Sequence, residues 1–149
     1  MNATFKDLNA KFWRQFEQGL EMALATSADG VVTNRVVMVA PCQERLYLLT
    51  AKESTKYPQM LKNPSVGLCA VLMQMTGAAR PLGHPLDEAN QQAAGAYKSV
   101  FEDYFNQFSA SADYALVEIT PARAVFYLET DAESRGYTID FNTKTVGEL

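Results

Sequence analysis

The chain has 149 residues, 48% of them hydrophobic, and a formal net charge of −4. That suits one domain with a core of its own, and the acidic balance argues against general nucleic-acid binding, which calls for a basic face. Two distant cysteines, Cys42 and Cys69, and a single histidine, His84, exclude a multi-histidine metal centre and argue against a disulfide framework or a zinc site.

Residues 1–21 read as an N-terminal helix. Phe5, Leu8, Phe12, Phe16 and Leu20 recur at three- and four-residue steps and make one apolar stripe. Gly19 weakens its end. Trp13 flanks the stripe, placed to cover a sheet edge or a partner subunit. The first seven residues lack the apolar core of a signal peptide. The most apolar stretch, residues 66–73, is too short to span a bilayer. A cytoplasmic protein with no membrane association is expected.

Strands follow at residues 22–27 and 31–39, joined by a turn at Ala28-Asp29-Gly30. Residues 41–44 make the next turn and 45–50 return, an antiparallel meander whose connections are too short for crossovers. A short helix over 55–62 stops at Asn63-Pro64, and Pro58 predicts a tight first turn. Residues 65–75 read as one apolar strand, buried on both faces or against a partner, with Gly77–Arg80 continuing as a paired strand. After a loop at 81–85, Pro85 opens a second long helix with Leu86, Ala89, Ala93, Tyr97, Val100, Tyr104 and Phe108 on its stripe. Strands 114–120 and 122–128 are separated by Pro121, and 136–141 is a last short strand. The polar tail, 142–149, is expected to be loose. About six strands with two peripheral helices indicate a single, mainly β domain, a small antiparallel barrel.

The strand ending Leu46-Tyr47-Leu48-Leu49-Thr50 runs straight into Ala51-Lys52-Glu53-Ser54-Thr55-Lys56. Ser54 reads as the N-cap of the short helix, whose first turn has free N–H groups that favour phosphate. Lys56 adds a full charge; Thr50, Ser54 and Thr55 add hydroxyls. One strand earlier, Arg35 interrupts an apolar run and needs an anionic partner. A phosphate between Arg35 and Lys56 satisfies both. Alternatively Ser-Thr-Lys is only a helix start, and Arg35 lies at a sheet edge and pairs with Asp29 or Glu44.

Taken in order, Arg35-Val36-Val37-Met38, Leu49-Thr50 with Glu53-Ser54-Thr55-Lys56, Asn63-Pro64-Ser65-Val66-Gly67-Leu68, and Gln74 before Thr76-Gly77-Ala78-Ala79 form a set. The set resembles the pyridoxamine 5′-phosphate oxidase-like family, the FMN-binding split barrels, over residues 22–128. Met22-Ala23-Leu24-Ala25-Thr26 with Asp29-Gly30 resembles that family's first hairpin. The resemblance implies an antiparallel split β-barrel and a homodimer with FMN at the subunit interface. It implies that Arg35 and Lys56 hold the FMN phosphate and that main-chain groups of Val36, Val37 and Met38 line the ring. Leu49, Thr50, Ser54 and Thr55 complete the cofactor site, and Gln74 approaches the flavin from the other subunit.

Two departures stand out. The family often has arginine where this chain has Thr55, and the loss of that bidentate donor is expected to weaken FMN binding or to shift phosphate binding onto Arg35 and Lys56. The family's true oxidase carries an Arg-x-His substrate signature, and no such pair occurs here. Oxidation of pyridoxamine phosphate is therefore not expected. The expected activity is that of the short branch of the family: an FMN-dependent oxidoreductase acting on a small molecule, with a reduced nicotinamide or a protein as donor. A dimer that holds FMN or a related cofactor without turnover, or a barrel that has lost its ligand, are the alternatives. No side chain is singled out as a catalytic acid or base, and no metal is expected.

The remaining candidates carry bland readings. His84 reads as an exposed loop residue before it reads as a proton donor. Cys69 is expected in the core and Cys42 in an exposed turn. Tyr97, Phe101, Tyr104 and Phe105, at helical spacing, are expected as core or dimer contacts.

Overall fold

The computed structural model describes residues 4–129 and 133–149. Residues 1–3 of the expected N-terminal helix lie outside them. Helix α1 (Phe5–Arg14) is capped by Thr4, whose hydroxyl accepts from the Asp7 amide at 3.2 Å. It stops earlier than expected, and Leu20 already opens strand β1 (Leu20–Ala28). Phe12 and Phe16 are nonetheless fully buried, because the stripe continues past the helix as a plug in the barrel. Trp13 packs edge-on against Phe12 and reaches Phe141, so it covers this chain's own core.

Strand β1 pairs antiparallel with β2 (Val31–Cys42) from Leu20↔Val39 to Ala28↔Val31. Asp29 and Gly30 both take positive φ, 53° and 79°, as a two-residue hairpin turn of the primed kind requires. Strand β3 (Arg45–Ala51) returns through Gln43-Glu44, and helix α2 (Lys56–Lys62) follows. Every residue from Leu46 to Thr50 is buried, since β3 has the barrel core on one face and helices on the other.

The expected strand 65–75 is instead a hairpin of β4 (Ser65–Ala70) and β5 (Met73–Gly83). Its turn is Val71-Leu72, with Leu72 at φ 65° and Val71 90% exposed. Val66 and Leu68 point into the core, so alternation leaves Cys69 exposed rather than buried as expected. Cys42, expected exposed, is half-buried at the end of β2, and that burial raises its thiol pKa.

The second long helix is divided. A 3-10 turn (Glu88–Asn90) leads into α3 (Gln91–Val100), and Phe101 breaks the path before α4 (Glu102–Phe108). Strand β6 (Tyr114–Glu129) runs unbroken through Pro121, which sits at a bulge opposite Gly77 where a missing N–H is tolerated. Gly77 is needed there: a Cβ would lie 2.7 Å from the Thr120 carbonyl oxygen. Strands β7 (Ser134–Asp140) and β8 (Thr145–Glu148) extend the sheet, so the tail is paired rather than loose.

The order is β3-β2-β1-β4-β5-β6-β7-β8, and β3 also pairs with β6. Six antiparallel strands thus close into a barrel in one domain, with β7 and β8 as an extension. Helices α3 and α4 pack outside it on Ala40, Tyr47, Leu49 and Leu116. No helix among the described residues is long and apolar enough to cross a membrane.

Candidate functional site: an uncompensated cationic pair at the split

Strand β2 pairs with β3 only over Ala40↔Tyr47, Pro41↔Leu46 and Cys42↔Arg45. Over Val31–Val39 it pairs with β1 alone, so among the described residues no strand covers its other edge. Such an edge offers backbone N–H and C=O groups to a ligand. This is the split in the barrel, and Arg35 and Lys56 lie beside it.

Arg35 is paired in register with the buried Leu24, and its guanidinium reaches along the inner face of the hairpin. Nη1 donates to the Leu24 carbonyl at 3.1 Å and to the Thr26 hydroxyl at 2.7 Å; Nη2 donates to the Thr33 hydroxyl. Both threonines in turn donate to Oε1 of Gln59 from α2, each at 2.6 Å. Gln59 Nε2 donates to the Val31 carbonyl at 3.3 Å. Neutral acceptors therefore fix the guanidinium and tie α2 to the hairpin without cancelling the charge. Of the five guanidinium N–H groups, the Nε donor and one Nη2 donor have no acceptor among the described residues.

Lys56 opens α2 and is half-buried. Burial first, and the charge of Arg35 second, hold its pKa below the usual 10.5. Burial likewise lowers that of Arg35. Neither has an acidic partner among the described residues. Asp29 is taken by Lys62 at 3.1 Å, and Glu44 accepts from Asn9 at 2.9 Å, so the two acids that offered Arg35 an ion pair are both engaged elsewhere. Two cations that raise each other's free energy, with donors left over, select an anion.

The helix start differs from expectation. Thr55, not Ser54, is the N-cap residue of α2, and it makes no side-chain cap bond. Ser54 lies one residue too early: its hydroxyl donates to the Ala51 carbonyl at 2.7 Å and closes the turn before the helix. The buried Thr50 places its hydroxyl 3.3 Å from that of Ser54. Pro58 is third in α2, inside the first turn, where its missing N–H has no intrahelical role.

No protein-family model matches the chain, and no curated protein matches it in sequence. Solved structures match it in fold. A pyridoxamine 5′-phosphate oxidase-related, FMN-binding protein from Nostoc punctiforme aligns with a TM-score of 0.67 at 15% identity, over 99% of this chain and 97% of that one. A FAD-binding protein from Mesorhizobium loti aligns at 0.61 and 17%, over 78% and 89%. HutZ, a heme storage protein from Vibrio cholerae, aligns at 0.63 and 17%, over 77% and 89%. The fold is that of the pyridoxamine 5′-phosphate oxidase-like split barrels.

Within this split barrel, Arg35 and Lys56 lie close enough to repel each other, and Thr50, Ser54 and Thr55 precede Lys56 between the end of β3 and the start of α2. Val36 is 67% exposed and Val37 half-buried on the uncovered stretch of β2. Met38 and Leu49 are less available. The Met38 carbonyl accepts from the Tyr97 hydroxyl at 3.1 Å, and the Leu49 side chain is buried beneath α3 and α4.

Gln74 does not join this group in the same chain. The registers place Val36, Ala23, Cys69 and Gln74 in one row across β2, β1, β4 and β5. Three strand spacings separate Gln74 from Val36, about 14 Å. Gln74 instead lines a groove of about 850 Å³ on the outer face of the sheet, floored by small residues including Ala23, Ala25, Gly67 and Cys69.

The sequence reading missed Thr26, Thr33 and Gln59. Thr26 follows Met22 and Leu24 on the inward side of β1, and a polar residue in that series was the available signal. His84 is a half-buried bridge between two loops, not an exposed residue. Its Nδ1 accepts from the Leu86 amide at 3.1 Å, so Nε2 carries the proton and donates to the Ser111 carbonyl at 3.0 Å. Tyr97 of α3 and Phe105 of α4 are core residues, packed between these helices and the barrel.

Proposed function

We propose that this protein binds FMN in the split, with Arg35 and Lys56 holding the phosphate. The observation that carries the reading is the cationic pair: two like charges, fixed by neutral groups, with N–H donors to spare and no acidic partner among the described residues. A phosphate dianion matches that donor set in charge and geometry. Thr50 and Ser54 supply hydroxyls at the same end, and Arg35 and Lys56 take over the role that an arginine at position 55 would share. The uncovered main chain of Val36 is available to the polar edge of a flat ring, whereas the Val37 amide and carbonyl face β1 in the Met22↔Val37 pair.

We further propose a homodimer formed across the outer groove. Gln74 lies three strands from Val36 and reaches a cofactor in the split only from a second copy. The groove floor of alanine, glycine and cysteine gives another backbone close approach.

Bound FMN would supply hydride or single-electron transfer. The chain's own groups bind the phosphate, orient the ring along β2 and shield one face from water. The activity proposed is an FMN-dependent oxidoreductase that passes electrons from a reduced nicotinamide or a protein donor to a small molecule. A carrier that holds FMN or a related cofactor without turnover is the second reading, favoured by a heme storage protein built on the same fold.

The test is a visible spectrum of the purified protein before and after FMN addition and desalting. Flavin bands near ~450 nm, retained at one per chain, support the site. A colourless protein that keeps no added FMN rejects it. Sustained oxidation of reduced nicotinamide with an acceptor then separates enzyme from carrier.

A further inference from the structure

The β2–β3 ladder stops at Ala40↔Tyr47 although both strands continue. Following the register, Val39 would face Leu48 next, and Met38 would face Leu49. Antiparallel ladders bond at every second pair, so after Ala40↔Tyr47 the next site on that pattern is Met38↔Leu49. The groups that would form it are occupied by helix side chains. The Tyr97 hydroxyl of α3 donates to the Met38 carbonyl at 3.1 Å, and the Leu49 backbone amide faces the phenol oxygen of Tyr97. The Tyr104 hydroxyl of α4 points at the Leu49 carbonyl at 3.5 Å, a long contact. Tyr97 is buried, 1% exposed, and burial raises its pKa far above the usual 10, so it remains a neutral donor at any physiological pH.

We propose that Tyr97 is a positioning residue that replaces the Met38–Leu49 rung with its hydroxyl and so sets where the β2–β3 ladder ends and the cofactor split begins. Tyr104 takes the remaining carbonyl of that rung. A phenol between two backbones is wider than a direct N–H···O=C bond, so the ring holds the strands apart on the stretch that carries Arg35. Beyond Met38, the main-chain groups left uncovered on β2 then belong to Val36 and Asn34, while those of Val37 and Arg35 face β1 in the hydrogen-bonded pairs Met22↔Val37 and Leu24↔Arg35. The consequence for the cofactor rests on the FMN reading above; the replaced rung does not.

The experiment uses the full-length, flavin-free protein. NMR couplings through hydrogen bonds should link the Tyr47 amide to the Ala40 carbonyl, and none should link the Leu49 amide to the Met38 carbonyl. In Tyr97→Phe the ring still fills the space, but two backbone groups lose their partner. Amide exchange at Leu49 should become about tenfold faster, with the Ala40–Tyr47 rung unchanged. A direct Leu49–Met38 coupling in the wild type, or unchanged Leu49 exchange in Tyr97→Phe, overturns the proposal. The wild-type coupling decides the matter even where the variant fails to fold. FMN titration of both proteins reads the cofactor consequence separately. Wild type that holds no FMN rejects the proposed function and leaves the exchange result standing.

Discussion

Strand β3 has two seams, and they differ. It is joined to β6 through six consecutive pairs, Leu46↔Ile119 to Ala51↔Tyr114, and to β2 through three. Along the long seam, Leu46, Leu48, Val117 and Ile119 fill the barrel core. Along the short one, tyrosine hydroxyls take over backbone groups, and beyond them lie Arg35 and Lys56 with no counter-charge among the described residues. Core packing is concentrated at the first seam, and the proposed phosphate site lies at the second. Residues of the split can therefore be removed without unfolding the barrel.

The largest effect should come from the closed seam. Leu48→Ala empties a fully buried site and should cost about 3 kcal/mol in urea unfolding. A loss under about 1 kcal/mol would place the stability elsewhere. Next in size, Lys56→Ala should weaken FMN binding by about 30- to 100-fold, the scale of a hydrogen bond to a charged group. Its unfolding free energy should change by less than about 0.5 kcal/mol. Equal losses in stability and binding would erase the distinction between the seams.

A smaller effect concerns pH. Lys56 sits below 10.5 because of burial and Arg35, and a bound dianion favours its charged form. FMN affinity should then fall as pH rises from neutrality through the depressed Lys56 value, below 10.5. Titrations with Lys56→Arg should lose that slope; an identical slope in the variant would assign the proton to another group. The smallest effect belongs to Arg123→Ala at the groove. Its ion pair with Asp140, 3.1 Å, leaves Arg123 mostly exposed, and removal should cost about 0.5 kcal/mol or less.

The burial of β3 and its return beside β2 were legible in the sequence; its long pairing with β6 and the early end of the β2–β3 ladder were not. Leu46-Tyr47-Leu48-Leu49 is an apolar run that belongs inside a sheet, and Asp29-Gly30 is a turn by backbone geometry alone. The β4–β5 hairpin was hidden because Val71-Leu72 carries none of the residues that usually announce a turn. Missing it also misplaced Cys69, since a strand read as buried on both faces hides its alternation. β8 is four residues long and, among the described residues, pairs with β7 alone, too little pattern to detect. At the site, Arg35 and Lys56 stood out as charges in apolar or capped surroundings. The Thr26–Thr33–Gln59 support did not, because those three neutral residues come from three different elements and meet only on folding. The Tyr97 contact was hidden likewise, its tyrosine reading as one more apolar position on a helix stripe.

The most direct measurement compares FMN with riboflavin, the same ring without the phosphate, by fluorescence titration of the wild-type protein and Lys56→Ala. A phosphate site at Arg35 and Lys56 predicts that the wild type prefers FMN by roughly 100-fold or more and that Lys56→Ala loses most of that preference. Equal affinity of the wild type for FMN and riboflavin would contradict the account.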